Sequence, residues 1–234
     1  AGVLETVTGD LTKATQNLSE LAAAHDHWAE AWQQLGDARL AKGDLAGAIE
    51  AFTYELTLGK DHLSNEERGR ALMSRAQALQ RQQNLHAAET DLQEAVQLMP
   101  DNAQLLNHLG YMWAERGVRL DEAADLVTRA MRADPNNGNI LDSLGFIRTR
   151  QGELGEAVRL LELASEVLPY DPVVNNHLGD AYWAAGRRTE ARFQWHRSLV
   201  YRDSPGPDVI SIDALRAKLE RGPGVSTAQT SLSQ

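Results

Sequence analysis

Four Leu-Gly pairs punctuate the chain, at Leu35-Gly36, Leu109-Gly110, Leu144-Gly145 and Leu178-Gly179, and the last three are spaced by 35 and 34 residues. Seven residues after each of these glycines comes a second, at Gly43, Gly117, Gly152 and Gly186, and then an alanine, at Ala48, Ala123, Ala157 and Ala191. Pro100, Pro135 and Pro169 close the units. A period in this range means stacked supersecondary units, each too small to bury its own apolar face alone. Aromatic residues make up only 6% of the chain, while Ala, Leu, Glu, Gln and Arg recur throughout, so the units are expected to be helical.

These features resemble the tetratricopeptide repeat, a helix-turn-helix unit with a Leu-Gly pair in its first helix, small residues in its second and a closing proline. The resemblance implies an all-α, right-handed α-solenoid. The expected units are 29–62, 69–102, 103–137, 138–171 and 172–205, with an insertion at 63–68 and one extra residue near Val118 to Leu120. The unit at 69–102 diverges most: Arg75-Ala76 stands at the Leu-Gly position and Gln83 at the turn glycine. Run backwards, the register gives Gly9, Ala14, Leu18, Leu21 and Asp26 the places of a partial unit over 1–28, which predicts an array continuing upstream and an N-terminal end able to self-associate. After Ser204-Pro-Gly-Pro207, residues 208–221 read as a capping helix with Val209, Ile210, Ile212, Leu215 and Leu219 on its apolar side. Residues 222–234 read as a disordered tail.

The glycine of each first helix and the alanine of each second fall where two helices cross closely, and the second glycine falls in the turn. These positions are scaffold. By analogy with the family, the ligand face is the inner, concave surface lined by the first helices. In the first two full units it holds Glu30, Gln33, Gln34 and Asp37, then Arg70, Met73, Ser74, Gln77, Gln80 and Arg81. Further on, the candidate partner-binding residues are Asn107, His108 and Tyr111, then Asp142 and Phe146, then Asn176, His177, Asp180 and Trp183. Helix-pair packing does not require Tyr111, Phe146 or Trp183 to be aromatic, so they read either as anchors for a bound segment or as packing against the adjacent unit. Asn107 and Asn176 can bond both the N–H and the C=O of an extended peptide. One branch of the family clamps a carboxyl terminus with Lys, Asn and Arg. Here those places hold Gln33, Asp37, Ser74, Gln104 and His108, or Asn107, Tyr111, Ser143, Val173 and His177, so that ligand is not implied.

Other chemistry finds little support. With no cysteine, disulfides, thiolate nucleophiles and Cys-ligated metals are excluded, and no catalytic constellation, cofactor or metal is expected. His108 and His177, two repeats apart, are too distant to share a metal, and His25-Asp26-His27 lacks a second cluster at metal-ligand spacing. Glu66-Glu67 and Asp121-Glu122 sit at helix starts, where negative charge is stabilising. A net charge of −10 repels a phosphate backbone, so nucleic acid is not an expected partner. The one basic concentration, Arg187, Arg188, Arg192, Arg197 and Arg202, reads as a solvated face or as a dock for an acidic partner or lipid headgroup. No apolar run approaches the roughly 18 residues of a membrane span.

The run of Leu-Asn-His-Leu-Gly-Tyr, Leu-Asp-Ser-Leu-Gly-Phe and Asn-His-Leu-Gly-Asp-Ala-Tyr-Trp is similar to bacterial cell-envelope multi-repeat proteins, some of them lipoproteins. One branch of that group delivers substrates to a periplasmic carboxyl-terminal processing protease. The resemblance implies a non-enzymatic adaptor or scaffold, periplasmic or outer-membrane-associated, with a protein or peptide partner such as that protease or its substrates. The alternatives are a cytoplasmic location and a regulatory or targeting module of a larger enzyme or assembly.

Overall fold

The computed structural model describes residues 11–24, 28–58, 63–202 and 211–223. Among them every regular element is a helix: α1 (Leu11–Ala24), α2 (Ala29–Lys42), α3 (Leu45–Leu58), α4 (Asn65–Arg81), α5 (Leu85–Leu98), α6 (Ala103–Glu115), α7 (Leu120–Ala133), α8 (Gly138–Gln151), α9 (Leu154–Val167), α10 (Pro172–Ala184), α11 (Arg188–Tyr201) and α12 (Ile212–Arg221). They form two compact units, divided between Leu109 and Gly110 within α6. The N-terminal partial repeat, His25-Asp26-His27, the start of the capping segment and the tail beyond Pro223 lie wholly or partly outside the described residues.

In the first unit α2 pairs with α3 and α4 with α5, and Leu18 and Ala22 of α1 cover Ala31, Leu35 and Ala38 of α2. The six inserted residues serve α4: Ser64 caps it by accepting from Glu67 N–H, Glu67 reaches back to the Ser64 N–H, and residues 65–68 form its first turn. The divergent Arg75 also has a physical reason. Its Nε and Nη2 donate to the two carboxylate oxygens of Asp91 on α5, both at 2.7 Å, and its Nη1 donates to Thr53 Oγ1 at 3.2 Å. A bidentate ion pair thus joins this hairpin where leucine packing joins the others.

In the second unit the hairpin α8/α9 packs on the hairpin α10/α11, and α12 packs against α11. Each hairpin crosses at its first-helix glycine. A Cβ on Gly110 would lie 2.6 Å from Val127, one on Gly145 would lie 2.5 Å from Leu161, and one on Gly179 would overlap the Trp195 ring. Leu215 of α12 is 1% exposed within a cluster of Leu161, Leu178, Tyr182 and Trp195, with Leu219 partly buried beside it. The extra residue near Val118 is absorbed in the turn, where Gly117 and Arg119 both take positive φ and the Arg119 guanidinium lies 4.0 Å from the Trp113 ring centroid.

The turn glycines Gly43 and Gly152 adopt φ near +83, a region where a side chain costs about 1–2 kcal/mol. Gln83 occupies the same turn position at φ 65 without being glycine. Gln83→Gly is therefore expected to stabilise the protein by about 0.5–1 kcal/mol, the relief of strain being partly offset by the greater entropy of glycine in the unfolded chain. Urea denaturation checks this, and an unchanged or lower midpoint contradicts it.

Candidate partner-binding face

The repeated Asn-His-Leu-Gly does not repeat its chemistry. In α6, His108 is largely enclosed, and its Nε2–H donates to Gln80 Oε1 on α4, joining two first helices of the first unit. Burial lowers its pKa to about 4, so it is neutral. Asn107 beside it is half-buried, with an Oδ1 that has no hydrogen-bond partner.

In α10, His177 is 7% exposed and Asp142 of α8 is 6% exposed. His177 Nδ1 donates to Asp142 Oδ2 at 2.9 Å and lies 3.1 Å from Oδ1. Burial alone disfavours the imidazolium, but the charge of Asp142 and its hydrogen bond outweigh burial, and the His177 pKa is raised. The sequence places both residues on an open face. The structure instead turns them toward each other across adjacent first helices, because a buried carboxylate and a buried imidazole each need a partner.

Above this pair lie half-buried rings. Phe146 stacks on His177 with centroids 4.6 Å apart, and Tyr111 lies 5.5 Å from Phe146 and 6.3 Å from His177. The Arg150 guanidinium is 5.5 Å from the Phe146 centroid. Tyr111 and Phe146 therefore pack against neighbouring helices and still show part of their rings to solvent. The two roles left open by the sequence are compatible in one pair of residues.

The last repeat is different. Lys218 of α12 donates to Asn176 Oδ1 at 2.8 Å and Asp180 Oδ2 at 2.7 Å, and Trp195 Nε1 donates to Asp180 Oδ1 at 2.9 Å. The Trp183 ring packs 5.2 Å from Trp195, lies 3.8 Å from the Arg188 guanidinium, and meets the backbone of Gly222, where a Cβ would overlap it. Asn176, Asp180 and Trp183, placed on the free face by their spacing, are thus engaged by the C-terminal helix. Within this unit only Tyr111 and Phe146 of the predicted contact residues combine partial exposure with a position away from α12.

Most of the arginine patch is also committed. Arg187 bonds Glu190 and Glu162, Arg188 donates to Trp183 O, Arg197 to Pro169 O and Arg202 to Leu199 O, whereas Arg192 is exposed. Among the described residues, no group of three or more His, Cys, Asp or Glu is placed to hold a metal ion, and no helix is long and apolar enough to cross a membrane. Sequence reasoning missed Glu55, a carboxyl 3% exposed on a second helix. Its signal was an acid seven residues after Ala48 and three after Phe52, on the helical face that those two residues mark as apolar.

Helical hairpins that cross at glycine and stack through their first helices define an all-α repeat protein. Models of the tetratricopeptide repeat match residues 29–53 and 73–138, and the fold is the all-α fold of that repeat. The chain is 39% identical over 109 residues to a repeat-containing protein of Pseudomonas aeruginosa, covering 47% of this chain and 18% of that one. It is 33% identical over 96 residues to the probable UDP-N-acetylglucosamine–peptide N-acetylglucosaminyltransferase SPINDLY of Solanum lycopersicum, covering 41% and 10%. A tetratricopeptide repeat protein from Parabacteroides merdae superposes with a TM-score of 0.73 at 15% identity, over 94% of this chain and 82% of that one. The chain spans less than a fifth of the length of these curated relatives. Proteins built of this repeat are in general non-catalytic scaffolds for protein–protein contact.

The His177–Asp142 pair makes stability depend on pH. A histidine whose folded pKa is raised contributes stability that is fully present below its unfolded value, ordinarily 6.5, and lost as pH rises through the folded value. A His177→Gln/Asp142→Asn variant, which replaces the ion pair by a neutral one, should lose that dependence. The stability gap between wild type and variant should shrink as pH rises from about 6 through the raised folded value of His177. A gap that stays constant or widens contradicts the charged pair.

Proposed function

We propose that the chain is the repeat module of a non-enzymatic adaptor whose first helices bind a segment of another protein. The observation that carries this reading is the Tyr111–Phe146 ledge: two partly exposed rings on successive first helices, seated on the buried His177–Asp142 pair. Rings packed on a buried hydrogen-bonded pair lose little freedom on binding, and aromatic anchors of this kind supply most of the affinity in many interfaces. The proposed setting is the bacterial envelope, with a carboxyl-terminal processing protease or its substrates as candidate partners. Similarity to the Pseudomonas protein supports the bacterial part, and cell fractionation of the native host tests the location.

A second reading, a repeat module within a larger enzyme, draws support from the similarity to the SPINDLY transferase, of which the matched portion is a tenth.

Peptides selected on the wild-type chain from a displayed random library should bind Tyr111→Ala/Phe146→Ala at least tenfold more weakly, with helicity retained. Trp183 is left intact in this test because it holds α12 in place. Undiminished binding by the double variant would remove the ledge from the proposed function.

A further inference from the structure

In the first unit the carboxyl group of Glu55, on α3, is buried among polar groups of the two flanking first helices. Its Oε2 has no hydrogen-bond partner. The charged groups facing it are Glu30 and Asp37 from α2 and Glu67 and Arg70 from α4. Burial first, then the like charges of Asp37 and Glu30, push its pKa up to about 8, with Arg70 opposing them. Partial burial and the like charge of Glu30 also raise the Asp37 pKa, against a hydrogen bond from Gln33.

Gln33 lies beside Asp37. Its Nε2 donates to both Asp37 oxygens, at 3.1 and 3.2 Å, and to Ser74 Oγ on α4 at 3.2 Å. Its donors are thereby occupied, while its Oε1 is buried and without a partner. The cluster is short of positive charge: two buried oxygens are unpaired, and among the described residues that act on Glu55, the acids Glu30, Asp37 and Glu67 stand against Arg70. Leaving such oxygens unpaired is destabilising, a penalty that an arriving multidentate donor removes.

We propose that Glu55 Oε2, Gln33 Oε1 and Asp37 form a receptor for the guanidinium of an arginine side chain carried by a partner segment. The proposal rests on the adaptor reading above and specifies the chemistry of that partner. A guanidinium fits better than an ammonium because the acceptors lie on two helices. Its planar fork carries five donors, and it sheds water more readily than lysine. Glu30, Asp37 and Arg70 are exposed around Glu55, so movement of solvent-facing side chains opens the approach. Binding a cation favours the ionised Glu55 carboxyl, so a proton leaves as arginine enters. Affinity should fall as pH drops below about 8, approaching tenfold per unit.

The test is a titration of the full chain with the peptide acetyl-Gly-Arg-Gly-amide, with its citrulline and lysine counterparts alongside, following the Glu55 carboxyl by carbon-13 NMR. The arginine peptide should lower the Glu55 pKa by about one unit or more at saturation. It should bind at least tenfold more weakly to the near-isosteric Glu55→Gln and unchanged to Glu50→Gln, an exposed position on the same helix. Citrulline, of the same shape without charge, should not bind. The receptor is overturned if the arginine peptide shows no binding at about 20 mM, a weaker affinity than about 2 kcal/mol would give. It is equally overturned if citrulline or lysine binds as well, if Glu55→Gln binds normally, or if Glu55 titrates in the ordinary carboxylate range through pairing with Arg70. Library peptides that still depend on Tyr111 and Phe146 would in those cases leave the adaptor reading standing. Loss of that dependence, with arginine still captured at Glu55, would remove the ledge alone.

Discussion

Each unit of this protein depends on the close approach of paired helices at a glycine. At Gly145 and Gly179 the second helix brings Leu161 or Trp195 into the space a side chain would take, and both of these partners are fully buried. Burying such a side chain is worth about 1.5–3 kcal/mol, and it is available only if the helices reach contact distance. With that crossing set, the first helices of neighbouring hairpins come together, and side chains such as Asp142 and His177 meet. Their hydrogen bond follows from the crossing.

The face made by the first helices is consequently less open than its polar composition implies. In the second unit the buried His177–Asp142 hydrogen bond and the Lys218 contacts use polar groups of this face internally, and Phe146 stacks on His177. What such a face offers a partner is rigidity in its remaining exposed rings. In the first unit the balance is reversed: acceptors exceed donors, and Glu55 and Gln33 keep unpaired oxygens. The two units therefore present different chemistry from the same kind of repeat.

The scaffold was legible in the sequence because its demands are local and periodic. Gly36, Gly110, Gly145 and Gly179 recur where crossings need them, and Gly43 and Gly152 recur where φ is positive. The site was legible only in part. Spacing identifies the helix face on which Asn176, Asp180 and Trp183 lie, but Lys218, which binds the first two, lies about 40 residues further on, outside the repeat pattern. Likewise, nothing in a shared Asn-His-Leu-Gly distinguishes His108, facing an amide, from His177, facing a carboxylate. That difference is set by Gln80 and Asp142 on neighbouring helices, through contacts that cross between repeats.

The claim that helix crossing at glycine organises the fold is tested most directly by comparing two substitutions in one hairpin. Gly145 faces Leu161 at the crossing, whereas Gly155, in the first turn of α9, has nothing within 4 Å of an added Cβ. Gly145→Ala should destabilise the protein by about 1–3 kcal/mol through overpacking, and Gly155→Ala should stabilise it by about 0.5–1 kcal/mol through helix propensity. Unfolding free energies measured in urea should therefore move in opposite directions. Equal shifts, or a gain at Gly145, would contradict the account.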